Sequence, residues 1–212
     1  MGINLIYRHG TSYSKDEIPN IEETLLKKFV FGSDFEKYYL RELNYSILYL
    51  NKDINIKDFP LTEQVLIPFK KQLEKRREVV KNVIPWYSLQ WPRNQQTFNR
   101  QKILFQKIRN QKLSERLVGT YDESGLYLGD GVIYLNSNSD NKKELKFLLA
   151  LLNSPLYNLY YREQFLDINL KIKYLEETSI IDYTKFSKEE QQMFDSVVKN
   201  VDLLLQLNIE LN

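Results

Sequence analysis

Hydrophobic positions along the chain recur on two periods, and each period predicts an element. Tyr45–Leu50 (YSILYL) is β-branched and aromatic, which predicts a strand. Leu25–Phe31 is apolar with two lysines and stops at the turn residues Gly32-Ser33-Asp34. Asn4–Asn20 reads as an opening segment, with a strand at Ile3–Tyr7 and then a polar loop. Leu61 to Asn82 is rich in helix formers and sets Leu66, Phe69 and Leu73 on one face. Thr62 could cap that helix, or Pro68 could stand in its first turn.

The middle changes period. Ile103–Lys107, Leu117–Tyr121, Gly125–Leu128 and Val132–Leu135 are short runs divided by Gly, Asp and Ser. They predict a small, mostly antiparallel β region. Leu145, Leu148, Leu149 and Leu152 then return at helical spacing. Asn153-Ser154-Pro155 breaks the pattern, because a residue before proline is disfavoured as helix. With Ser154 as cap and Pro155 as first residue, a second helix restarts through Leu156, Leu159 and Tyr160. From Ser187 onward an amphipathic helix is expected, with Phe194, Val197, Val201, Leu204 and Leu211 on its seam and Asn208 in register. The expected fold is mixed α/β (α+β): a small twisted sheet region flanked by helices at Leu61–Asn82 and Lys142–Arg162, with a helical tail. We expect one domain over residues 1–186 and a helix over 187–212 that packs on it or on a partner.

Composition narrows the chemistry. The chain has 212 residues, no cysteine and one histidine, His9. Disulfides, thiolate zinc sites and cysteine nucleophiles are excluded. No apolar run reaches the roughly 18 residues of a spanning helix, and a cytoplasmic location is expected. Neither a G-x-x-x-x-G-K-[ST] nor a G-x-G-x-x-G phosphate cradle occurs among the seven glycines. His9 has no partner set for a hydrolytic triad and reads as structural or exposed. The nearest approach to a metal-dependent nuclease is Asp130 followed by Glu144-Leu145-Lys146. That triplet lies in the leucine-periodic helix, whereas the common nuclease core carries it on a strand.

Charge is distributed unevenly although its sum is only +2. Val79 to Ser114 contains no Asp or Glu, where average composition would place about five. It contains seven bases: Lys81, Arg93, Arg100, Lys102, Lys107, Arg109 and Lys112. Both tryptophans, Trp86 and Trp91, lie in the same window. Arginine matches the edge of guanine, Asn and Gln match adenine, and lysine mainly grips phosphate. The DNA-facing candidates are therefore Arg93, Asn94, Gln95, Gln96, Arg100, Lys102, Lys107, Arg109 and Lys112, with Trp86 and Trp91 anchoring the loop. The plain alternative is a solvated polar loop over a tryptophan-anchored core.

Several motifs occur in a particular order. Gly32-Ser33-Asp34-Phe35 is followed by Tyr38-Tyr39. Then come Leu73-Glu74-Lys75-Arg76, Trp86-Tyr87-Ser88-Leu89, Pro92-Arg93, Gln101-Lys102-Ile103 and Leu149–Leu156 (LALLNSPL). This order resembles the C-terminal specificity domain of TaqI-like adenine-N6 DNA methyltransferases, also found in fused type II restriction-modification enzymes. Gln101 departs from it, since proline is usual there. The resemblance implies a reader of double-stranded DNA and no catalytic residues in this chain. It also implies a methyltransferase domain, in the same parent chain or in a partner subunit, where S-adenosylmethionine and any Mg would act. The chain itself lacks the N-P-P-Y motif of that catalytic domain and is expected to be cut from a larger enzyme. Two rivals remain: a nuclease fragment, and a stand-alone subunit docking its catalytic partner through Phe194 and Val201.

Overall fold

In the computed structural model, which describes residues 6–8, 20–90, 92, 94–137 and 141–210, the chain passes three times between two units. One unit takes its residues from 1–29 and 44–97, the other from 30–43 and 98–212. His9, Trp91, Arg93 and Leu211 lie outside the described residues.

The first unit is built on three antiparallel strands: β1 (Ile6–Arg8), β2 (Leu26–Val30) and β5 (Tyr45–Leu48), with β5 central. YSILYL is thus strand for its first four residues, and Leu48 and Leu50 go into a core with Ile21, Leu25, Ile56 and Leu66. The expected helix from Leu61 to Asn82 is broken into three: α1 (Pro60–Leu66), α2 (Lys70–Leu73) and α3 (Arg77–Val80). Pro68 falls in a 3-10 turn at Ile67–Phe69, since proline removes the N–H a continuous helix needs. A second break comes at Arg76, whose backbone is extended (φ −65°, ψ 138°). Thr62 is not the cap. Pro60 starts α1, and the Glu22 carboxylate accepts from Leu61 N (2.9 Å), Thr62 N (2.9 Å) and Thr62 Oγ1 (2.5 Å). Desolvation pushes Glu22 up, but those hydrogen bonds outweigh it and hold its carboxyl below the usual carboxylate range.

The second unit has a three-stranded antiparallel sheet with β6 (Lys102–Gln106) between β7 (Gly119–Asp122) and β9 (Val132–Asn136). Ile103, Leu104 and Phe105 are fully buried. Short strands β3 (Phe35–Glu36) and β4 (Tyr39–Leu40) form a hairpin, and β8 (Tyr127–Leu128) precedes β9. Helix α4 (Gln95–Asn99) carries the chain into this unit from the first. The leucine-periodic helix is α5 (Lys142–Asn153). Its Leu145, Leu149 and Leu152 share a core with Ile103, Phe105, Tyr161 and Val201. As expected, Ser154 ends it: Ser154 Oγ accepts from Tyr157 N at 3.3 Å and Pro155 opens α6 (Pro155–Gln164).

After α7 (Ile172–Glu176), the tail forms α8 (Lys188–Glu210). Ser187 and Glu190 make a reciprocal capping box: Ser187 Oγ accepts from Glu190 N at 3.2 Å, and Ser187 N donates to Glu190 Oε2 at 2.7 Å. The buried seam is Phe194, Val198 and Val201, with Leu205 packed beside it, so Val198 and Leu205 stand where Val197 and Leu204 were expected. Spacings of four, three and four follow the 3.6-residue turn, and Leu204 falls off that line to 41% exposure. Phe194 and Val201 are therefore in this unit's interior and not free to dock a partner. Among the described residues, no helix is long and apolar enough to cross a membrane. The mixed α/β class and the C-terminal helix stand as expected.

Candidate nucleic-acid interface

The acid-free window does not form one surface loop. It is divided between the units at the Thr97–Phe98 peptide. Its first half is tied into the first unit. Arg76 Nη2 donates to Trp86 O at 2.6 Å, Leu89 N donates to Leu50 O at 2.7 Å, and Tyr87 Oη donates to Ile54 O at 2.7 Å. Trp86 packs edge-to-face on Tyr87, 5.6 Å between ring centres, with Lys70 Nζ 5.4 Å from its own ring centre. Trp86 thus anchors the segment, as its size predicts.

Beyond Leu89 the chain borders a cleft of about 670 Å³. Asn94, Gln95 and Gln96 line it, as do three residues that sequence reasoning missed: Asn51, Glu78 and Gln90. Asn94 Oδ1 accepts from Gln96 N at 2.9 Å, and Asn51 Oδ1 accepts from Asp53 N at 3.0 Å. Glu78, largely buried, accepts from Gln90 Nε2 at 2.5 Å. A signal for Gln90 was present, since it directly follows Trp86-Tyr87-Ser88-Leu89. Asn51 carried only its place after a strand.

The second half of the window belongs to the second unit. Lys102 corrects the sequence expectation most sharply: it is fully buried, and its Nζ lies 2.5 Å from Asp122 Oδ2 and donates to Phe98 O at 2.6 Å. Strand register places Lys102 directly across from Asp122, so the first residue of a buried strand is neutralised by the last residue of its neighbour. It cannot touch DNA. Arg100 is half-buried, and its Nη2 donates to Ser137 O at 2.8 Å. Arg109 Nε donates to Glu115 O at 2.7 Å and its Nη1 donates to Gln106 Oε1. Burial pulls the Arg109 guanidinium below its usual value, against the pull of Glu115 and Glu36. Lys107 is half-buried and Lys112 exposed.

The second unit also buries polar residues with no sequence-level candidacy. Asn153 Oδ1 accepts from Gly119 N and its Nδ2 donates to Gly119 O, both at 2.9 Å. Asn158 Oδ1 accepts from Arg116 N (2.6 Å) and Leu117 N (2.7 Å), while its Nδ2 donates to Leu117 O (3.2 Å). The start of α6 and the end of α5 are thereby stitched to the segment entering β7. Asp130 is exposed, and the helical half of the nuclease pattern is engaged elsewhere. Glu144 accepts from Ser137 Oγ (3.1 Å) and Asn141 Nδ2 (3.0 Å), and Lys146 pairs with Asp202. Among the described residues no three metal-ligating side chains come together.

Comparison with protein families matches residues 27–180 to the TaqI-like C-terminal specificity domain. The chain belongs to that family. No curated protein matches it. Among solved structures, a type IIL restriction-modification enzyme, MmeI, in complex with DNA is similar at a TM-score of 0.49 and 12% identity. The match covers 96% of this chain and 33% of that one, so the chain spans about a third of that enzyme's length. Several motifs that carry the family resemblance have visible structural jobs in this specificity domain. Gly32 is needed because a Cβ there would meet Gly131 O at 2.8 Å, and Asp34 Oδ2 accepts from Phe31 N at 2.8 Å. Arg76 binds the Trp86 carbonyl, and Asn153 and Ser154 make the two contacts already described.

Proposed function

We propose that this specificity domain reads a base sequence in double-stranded DNA for a restriction-modification adenine-N6 methyltransferase. The observation that carries the reading is the family match over residues 27–180. The amide-lined cleft of the first unit and the cations of the second, Lys112 exposed and Arg100, Lys107 and Arg109 half-buried, support it. In this reading Asn94, Gln95 and Gln96 meet base edges, while Arg100, Lys107, Arg109 and Lys112 meet phosphates. Arg93 keeps its candidacy on chemistry alone. The chain itself performs no catalysis. Methyl transfer falls to a catalytic domain, in the same parent chain or a partner subunit, that binds S-adenosylmethionine. The seven glycines here form no G-x-G-x-x-G turn that would hold that cofactor, and no step is assigned to this chain through it. A cytoplasmic location follows from a DNA substrate.

The test is selection of bound duplexes from a randomised library at several salt concentrations. Enrichment of one short sequence, with affinity falling as salt rises, is expected. Absence of binding at low salt, or binding without enrichment, would sink the proposal.

A further inference from the structure

We infer that the first-unit cleft reads an A·T pair, with Gln90, aimed by Glu78, taking the adenine edge and Val83 meeting the thymine methyl. The inference rests on the DNA-reading function proposed above and adds which residues discriminate, and for which base pair.

A carboxamide is ambiguous in isolation, because its oxygen and nitrogen are close to the same size and a 180° flip exchanges acceptor for donor. Gln90 is not free to flip. Its partner is the Glu78 carboxylate, an acceptor, so the amide nitrogen must face it, at 2.5 Å. Glu78 is only 9% exposed, which fixes that partner in turn. One N–H of Gln90 is therefore used, and the carbonyl oxygen and the second N–H remain. An acceptor beside a donor is what the N6 and N7 atoms of adenine require in the major groove.

The neighbours agree with that choice. The carboxamide oxygens of Asn51 and Asn94 are already taken by the backbone N–H groups of Asp53 and Gln96. Their NH₂ groups keep both donors, suited to an acceptor such as thymine O4. Val83, also in the lining, is a large apolar side chain left 61% exposed, the kind of contact a thymine methyl offers. Charge excludes a phosphate clamp: the described lining holds one base, Lys52, against two acids, Asp53 and Glu78. Base edges carry no net charge and need no such excess.

The experiment compares the whole 212-residue chain with Gln90→Ala and Glu78→Gln in duplex selection, followed by affinity measurements on the selected site. The unmodified chain should select a site with an A·T position where 7-deazaadenine weakens binding about tenfold. Gln90→Ala should accept all four pairs there within about twofold, with other positions unchanged. Glu78→Gln keeps the volume but lets residue 78 donate as well as accept, so Gln90 can flip, and the same position should relax. Matching thermal melts establish that both variants are folded. Unchanged selectivity in Gln90→Ala, or equal weakening at every position, overturns the inference while leaving DNA reading intact. If the unmodified chain enriches no sequence at all, the proposed function fails, and this inference with it.

Discussion

The first unit sets a group of side-chain amides around a cleft, and the second seals Asn153 and Asn158 in its interior. Asn94 and Asn158 make the contrast concrete. Asn94 is exposed and holds its own local turn, whereas Asn158 is 2% exposed and serves three backbone groups across 41 and 42 residues of sequence. Two of the window's lysines divide in the same way, with Lys102 buried against Asp122 and Lys112 in solvent. Residue type therefore decides little, because an amide or an ammonium is a reader or a rivet according to what surrounds it. A buried one must be fully paired, since its unpaired form loses its hydration for nothing.

The largest break in this comparison should come from Lys102→Met. It leaves Asp122 buried without its counter-charge, though still accepting from Ser124 and Leu126. Removing one partner of a buried pair costs about 3–5 kcal/mol, read as a lower urea midpoint. Adding Asp122→Asn should restore about 1–3 kcal/mol of that loss. If Lys102→Met unfolds at the unmodified midpoint, the buried pair is not what holds β6 to β7.

Next in size is Asn158→Ala. It strands the N–H groups of Arg116 and Leu117 in the interior, at about 1–3 kcal/mol for a buried group left unsatisfied. The matching change in the first unit, Asn94→Ala, should stay within about 0.5 kcal/mol. Equal midpoints for the two variants would erase the contrast between the units.

Legibility in the sequence follows the same division. β5, β6, α5, the Ser154–Pro155 restart and the Ser187 helix were legible, because period and local caps are properties of neighbouring residues. The helix over Leu61–Asn82 was not: its first break, at Pro68, is local, but its second falls at Arg76, which bonds the Trp86 carbonyl ten residues on. Lys102 was misplaced for a related reason. Its partner Asp122 lies twenty residues away, and only strand register brings the two together. The amide cleft was half legible: Asn94, Gln95 and Gln96 announce themselves as a cluster, while Asn51 and Glu78 join only through the fold. The motifs that carry the family resemblance were read correctly as a set, yet those with visible contacts hold the scaffold and leave base reading to the residues between them.

A smaller effect is confined to alkaline pH. Tyr161 is buried, which pushes its phenol up to about 12, with Arg116 pulling it down only in part. The unfolded chain titrates near 10. The folded state thus holds the proton longer, so this contribution is complete below pH ~10 and is lost as pH rises toward ~12. Urea midpoints measured from pH 9 to pH 11 should fall, and Tyr161→Phe should flatten that decline. A decline of the same steepness in the variant would remove Tyr161 as its source.

The smallest change in stability should come from Lys112→Ala and Lys107→Ala, and it separates a reader from a rivet most finely. Neither residue is in the buried core, so each should melt within about 0.5 kcal/mol of the unmodified chain. If each meets one phosphate, each removes one released counterion and lowers the slope of log affinity against log salt by about 0.9. Lys102→Met, assayed well below its melting temperature, should leave that slope unchanged although it costs far more stability. Stability and salt slope then move oppositely across three lysines that sequence alone placed on one surface. A slope lowered by Lys102→Met and unmoved by Lys112→Ala would reverse the assignment and place the phosphate grip in the sheet rather than in the loop after it.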